Sequence, residues 1–404
     1  MRWLALLFFT LALGVAGCSD EAGGDAGAGG AAGTGGSAGT GGTAGTGGTA
    51  GTGGDAGAGG TGPTYNYAFI SPEAMTGNLG GLSGADSLCD EWAADAGIGG
   101  TYRAILSTTT GDANDRLAGA RGWIRPDGRP VADLPTDLFQ VDSGLLAPVR
   151  IAPNGDDLGD RFVWSASGND GVYFALGGAS DCGGWTSADA GAFARYGFSV
   201  TTVEWLDRGG TATCDRTFHV YCFQVDHEVE LRVEDFAQAG RRIFVSSGNF
   251  DVTSGIAGAD ALCDADALAT PELSGASFRA FLADDGASAA SRFSVSATPI
   301  VRLDGLLVAH DFNTLLTDDL IHPPNSRVMG VPHQWRVFVG ADSPADLGQA
   351  SSTCNGWSST SGNASEGFAY STATGPPAQR QWFGNATGSC LSHTNSVPVY
   401  CLEE

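Results

Sequence analysis

Gly81-Leu-Ser-Gly-Ala-Asp-Ser-Leu-Cys89 and Gly255-Ile-Ala-Gly-Ala-Asp-Ala-Leu-Cys263 are one phrase written twice, 263 − 89 = 174 residues apart. The likeness runs on downstream. Tyr102-Arg-Ala-Ile-Leu106 is answered by Phe278-Arg-Ala-Phe-Leu282, and Ile124-Arg-Pro-Asp-Gly128 by Val301-Arg-Leu-Asp-Gly305. Cys182-Gly-Gly-Trp-Thr-Ser187 is answered by Cys354-Asn-Gly-Trp-Ser-Ser359, and Val220-Tyr-Cys222 by Val399-Tyr-Cys401. This is a tandem duplication of a domain of about 160 residues, a usual size for one hydrophobic core. The copies span 65–225 and 241–404, with 226–240 as the linker between them.

Each copy opens on a short strand, Tyr67–Ile70 and Ile243–Val245, and a glycine-rich turn leads into a helix that carries the repeated phrase. Ala85, Leu88, Cys89, Trp92 and Ala96 recur at helical spacing, which puts the cysteine on the buried face. Ser83 and Asp86 have capping-box spacing, and copy two has Ala257 in place of the serine. Asp86 and Asp260 are expected in the first helical turn, where the helix dipole favours a carboxylate. Short aliphatic and aromatic strands follow at Phe162-Val-Trp164, Arg336-Val-Phe-Val339, Phe218-His-Val-Tyr-Cys222 and Val397-Pro-Val-Tyr-Cys401. Between them run long loops rich in Gly, Asp and Ser. A helix followed by many short strands and long loops predicts an α+β domain.

Ahead of the copies, Met1-Arg2, an apolar run from Trp3 to Val15 and the ending Val15-Ala-Gly-Cys18 have the parts of a secretory signal peptide. The ending is similar to a bacterial lipobox, so 1–17 is expected to be removed and Cys18 lipidated. The nine cysteines agree with this, since setting Cys18 aside leaves four per copy. Residues 22–62 are almost only Gly, Ala and Thr, too poor in large apolar side chains to offset the entropy of ordering. The stretch 18–64 therefore reads as a lipid anchor with a disordered tether. A Gly-rich chain of this length spans roughly 35 Å. The expected location is the bacterial cell envelope, with the domains at the outer membrane or cell surface.

The formal charge is −25, and all twenty basic residues are arginine. That field excludes nucleic acid, anionic lipid and sulfated polysaccharide as main partners, because those need a basic surface. Cys89, Cys182, Cys214 and Cys222 in copy one stand opposite Cys263, Cys354, Cys390 and Cys401 in copy two. In an exported chain such a set predicts disulfides, and four cysteines allow three pairings. Asp156, Asp157 and Asp160, in the acidic loop Asn154–Asp160, are the candidate ligands for calcium, the one cofactor the sequence suggests. Asp86 with Arg103, and Asp260 with Arg279, recur in both copies and predict an ion pair between helix and following strand. Trp185 and Trp357 are expected to pack on their disulfides. No catalytic residue is assigned: the six histidines are not at equivalent places, and no Gly-x-Ser-x-Gly elbow occurs.

The string Gly255–Cys263, then Ser277-Phe-Arg-Ala-Phe-Leu282 and Pro299-Ile-Val-Arg302, resembles the opening half of endostatin, the C-terminal fragment of some basement-membrane collagens. The closing half is similar too, with an aromatic strand near Trp335, the Cys354 and Trp357 pair, Cys390, and a last strand ending at Cys401. Copy one matches in the same order. The resemblance implies two tandem C-type-lectin-like domains, with nested bridges Cys89–Cys222 around Cys182–Cys214 and Cys263–Cys401 around Cys354–Cys390. It does not bring the family's ligands. The N-terminal histidines of endostatin's zinc site and its arginine clusters are missing, as are the Glu-Pro-Asn and Gln-Pro-Asp motifs of calcium-dependent lectins. The expected function is recognition of an extracellular glycan or protein by the loops 140–215 and 310–395; the rival reading is a structural envelope protein.

Overall fold

In the computed structural model, residues 64–140, 144–175, 178, 180–328, 330–376 and 378–404 are described. The signal segment, Cys18 and the tether up to residue 63 lie outside the described residues. The chain is α+β, and both copies belong to one compact unit.

Each copy is built on a five-stranded sheet with the same strand order. In copy one the order is Tyr102–Ala104, Tyr221–Gln224, Asn66–Ile70, Trp123–Ile124, Pro130–Ala132; in copy two it is Phe278–Ala280, Tyr400–Glu403, Arg241–Val245, Ile300–Val301, Leu307–Ala309. The opening strand pairs antiparallel with the closing one, Phe69 against Cys222 and Phe244 against Cys401. First and last residues of each copy are thus neighbours at the sheet centre. Alternation along these strands feeds two cores. Phe69, Tyr102, Ala104 and Cys222 face the long helix, while Ala68, Ile70, Tyr221 and Phe223 face Trp123 and Trp205 on the other side. A three-stranded antiparallel sheet completes each copy: Phe162–Trp164, Phe193–Phe198 and Thr211–Thr213, then Arg336–Phe338, Asn363–Phe368 and Ala386–Ser389.

The repeated phrase forms the helices Gly81–Asp95 and Gly255–Ala269, with Cys89 and Cys263 fully buried. Four bridges are formed, Cys89–Cys222, Cys182–Cys214, Cys263–Cys401 and Cys354–Cys390. The capping reading is corrected. The helices begin at Gly81 and Gly255, so Ser83 is inside the helix, and no side-chain cap hydrogen bond is made at Gly80 or Ser254. Asp86 and Asp260 accordingly sit one turn further in, beyond the reach of the dipole.

Their carboxylates instead hold the next strand. Asp86 Oδ1 accepts the Ala104 N–H at 2.9 Å, and Asp260 Oδ1 accepts the Ala280 N–H at 3.0 Å. The main cationic partner also differs from the expected one. Arg292 lies 2.7 Å from Asp260, and Arg116 is in hydrogen-bond contact with Asp86, whereas Arg103 stands off at 3.7 Å. Arg279 turns away to Glu404 at 2.9 Å. Strand geometry explains this. Arg103 and Arg279 point out of the sheet, between the inward Tyr102/Ala104 and Phe278/Ala280, and keep 37% and 47% exposure, against 14% for Arg116 and for Arg292.

The linker range 226–240 packs onto both copies. His227 N–H donates to Asn66, Leu231 is buried with its N–H on Asp133, and Gln238 N–H donates to Gly305. The copies then meet about a pseudo-two-fold axis. Thr201 bridges Ser371, Thr202 N–H donates to the Tyr370 carbonyl at 3.0 Å, and Thr372 N–H donates to the Val200 carbonyl at 3.0 Å. The matching strand registers make these pairs equivalent positions, so the contact is isologous, as in a two-fold dimer.

Asp260→Ala is expected to destabilise the chain by about 2–3 kcal/mol, because it removes the carboxylate that Arg292 and the Ala280 N–H share. Arg279→Ala, which loses only an exposed pair, is expected to stay within about 1 kcal/mol of the parent. Urea unfolding of both variants separates the two carboxylate partners; equal losses would reverse the assignment.

Candidate functional site

The sequence-predicted calcium ligands do not converge. Asp157 is held by the buried guanidinium of Arg150 at 2.9 Å, and Asp156 accepts from the Asn154 side chain at 2.7 Å. Asp160 is turned inward, where burial raises its carboxyl above the usual range, and its Oδ1 has no hydrogen-bond partner. Among the described residues no group of three or more His, Cys, Asp or Glu is placed to hold a metal ion. Arg150 also reaches Asp319 of copy two at 3.3 Å, which makes the acidic loop part of the joint between copies.

Trp185 and Trp357 have no exposed face to offer a sugar. Both are 0% exposed, and their indole N–H groups donate at 2.8 Å to the carbonyls of Ser107 and Ala283. Each closes a left-handed turn: Cys182, Gly183, Gly184 and Trp185 have φ of 50°, 66°, 67° and 64°, and Cys354 to Trp357 repeat it. Glycine suits that backbone, but the cysteine and tryptophan carry strain there that the bridge and the core hold in place.

The two loop regions meet instead at a cleft of about 320 Å³ beside the pseudo-two-fold contact. Copy two contributes Gln334, Trp335 and Tyr370; copy one contributes Glu204, Asp207 and Arg208. Trp335 is 74% exposed, an unusual state for so large an apolar ring. Next to it Gln334 is only 8% exposed, and neither its amide oxygen nor its amide nitrogen has a hydrogen-bond partner. A buried amide with both ends unsatisfied costs free energy unless something else supplies the partners. Arg208 is fixed from beneath, its guanidinium 4.8 Å from the Phe198 ring centre and donating to the Tyr196 hydroxyl at 3.1 Å. Glu204 is tied to Arg380 of copy two at 2.9 Å, and Asp207 is in contact with Arg195. Burial, with Glu204 alongside, pushes the Tyr370 hydroxyl up, so it stays a neutral donor.

The cleft therefore joins an aromatic platform to an amide, two carboxylates and a guanidinium, a set that can stack on an apolar face and exchange hydrogen bonds around its rim. A larger concavity of about 430 Å³ in copy two is lined by Asp342, Asp346, Gln349, Ser352 and Thr387. It has no aromatic side chain and no buried unpartnered group on its wall, so the cleft is the stronger site. No protein-family model matches this chain, and no curated protein matches it either.

Sequence reasoning named the loops but not these residues. The signal available was Trp335 itself, an aromatic one position outside a strand whose equivalent in copy one is Arg161. A second group was missed as well. Glu366, fully buried, is held by Arg336 at 2.9 Å and by the Nδ1 of His393. Gly388 faces the pair, and a Cβ there would overlap both side chains. In copy one the strand register places Tyr196 and Ala212 at these positions, so this buried carboxylate belongs to copy two alone.

Three other histidines are held neutral by burial: His322 well below the usual range, His219 below it, and His333 lowered to about 4. The unfolded chain therefore takes up protons first as pH falls below about 6.5. Their contribution to stability is whole above that pH and is lost as pH falls toward the folded values, at up to about 1.4 kcal/mol per unit for each group. Thermal unfolding at pH 5 is expected below that at pH 7.5, with a shallower slope in His333→Gln; a flat profile over this window would contradict the buried, neutral assignment.

Proposed function

We propose that this chain is a recognition protein of the bacterial cell envelope, exported, anchored through lipidated Cys18, and carrying two C-type-lectin-like, endostatin-like domains whose loops take an extracellular glycan. The observation that supports this reading is the cleft at Trp335, where loops 140–215 of copy one and 310–395 of copy two meet around an exposed aromatic ring and an unsatisfied amide. Ligand sites concentrate on loops held by a rigid scaffold, and here the scaffold is stapled by four disulfides. The acidic surface agrees with a partner other than nucleic acid.

The experiment is binding of the purified, oxidised chain to a panel of immobilised polysaccharides, glycans and envelope fractions. Saturable binding that Trp335→Ala weakens by about 10-fold or more is the expected result. Cofractionation with envelope polymer, together with no saturable ligand, would replace recognition by a structural role.

A further inference from the structure

The pseudo-two-fold axis implies a second position related to the one at Trp335, and there copy one presents an exposed arginine instead of a tryptophan. Pairing of Phe162 with Phe198 and of Arg336 with Phe368 makes Arg161 the equivalent of Trp335 and Asp160 the equivalent of Gln334. Val200 is likewise the equivalent of Tyr370. Copy one runs 205 − 198 = 7 residues from Phe198 to Trp205, whereas copy two runs 382 − 368 = 14 from Phe368 to Trp382. Two residues of the longer segment reach the related side. Ala378 and Ala373 pack on Val200, while Asp160 stays half-buried and Arg161 exposed. What sets the Trp335 side apart is the residue itself: an indole 74% exposed where copy one has Arg161, beside a Gln334 amide with neither end partnered, where Asp160 leaves one carboxylate oxygen unpartnered.

We infer that the chain carries one composite saccharide site, at the Trp335 cleft, which takes a neutral pyranose without a metal ion. This rests on the glycan reading above and narrows it. A sugar ring offers an apolar C–H face to the indole and hydroxyls at its rim, and each hydroxyl both donates and accepts. The Gln334 amide needs one donor and one acceptor, Glu204 and Asp207 accept, and Arg208 donates. An anionic sugar would meet those two carboxylates and a net charge of −25. The cleft volume of about 320 Å³ is at the small end of the range for ligand sites, enough for a short stretch of sugar rather than a long groove. Avidity from the duplication is therefore not available within one chain.

The test uses the oxidised chain and four neutral probes, cellohexaose, chitohexaose, mannohexaose and xylohexaose, followed by tryptophan fluorescence and by titration calorimetry. Expected is a fluorescence change with at least one probe at a stoichiometry of one per chain. Trp335→Ala should weaken it about 10-fold or more, while Arg161→Ala at the related position and a chelator leave it unchanged. Unchanged thermal unfolding of both variants excludes misfolding as the cause. A stoichiometry of two, loss in chelator, or binding that survives Trp335→Ala would overturn the composite site. If no neutral probe binds while the chain still captures a charged polysaccharide or a protein, the neutral-sugar assignment falls and recognition stands. Silence toward every class overturns both.

Discussion

An aspartate in the second turn of each long helix is the constraint on which each copy rests. Asp86 and Asp260 take the backbone N–H of Ala104 and Ala280 and, on the same carboxylate, the guanidinium of Arg116 and Arg292. The arginine in turn donates to the carbonyl of that same alanine. Helix, strand and the segment that follows are thereby tied at one point, and both hydrogen-bonding groups of an edge-strand residue are satisfied. The helix face turned toward the sheet then places Cys89 and Cys263 against the closing strand, where the long-range bridges form. A carboxylate shared in this way is well used, since it satisfies a backbone donor and a cation that would each be costly to leave unpaired.

The pseudo-two-fold contact shows what duplication did with this unit. Thr201, Thr202 and Val200 meet Ser371, Thr372 and Tyr370 in reciprocal hydrogen bonds, as two copies of one surface must. Away from the axis the copies have diverged. Copy two has the longer segment between the equivalent strands and the buried group of Glu366, Arg336 and His393; copy one has the shorter segment. Symmetry at the joint and asymmetry beside it give two scaffolds and, among the described residues, one exposed tryptophan.

The parts of this arrangement that repeat were legible in the sequence. The phrase around Cys89 and Cys263 told where the helices lie and which face is buried, because helical spacing of apolar residues acts locally. The partner of Asp260 was not legible by proximity: Arg279 is nearer in sequence, but strand alternation turns it outward. What could have pointed to Arg292 is its offset of 12 from Ala280, the same as that of Arg116 from Ala104. The acidic loop at Asp156 read as a cation site because sequence shows charge but not the buried Arg150 that comes to meet it. The cleft was out of reach for a different cause. It is assembled from two copies, and no spacing within one chain segment encodes a surface formed by the packing of two.

The bridges Cys89–Cys222 and Cys263–Cys401 have a mechanical meaning as well. Each joins the helix near the start of a copy to the strand at its end, so a pull on the two ends of the chain passes from residue 89 to 222, and from 263 to 401, through sulfur. The polypeptide from 90 to 221 and from 264 to 400 lies off that line of tension. Every residue named at the cleft, from Glu204 to Tyr370, lies in one or other of these bypassed segments. A force that drew out the ends of the chain would thus leave the backbone around the cleft slack.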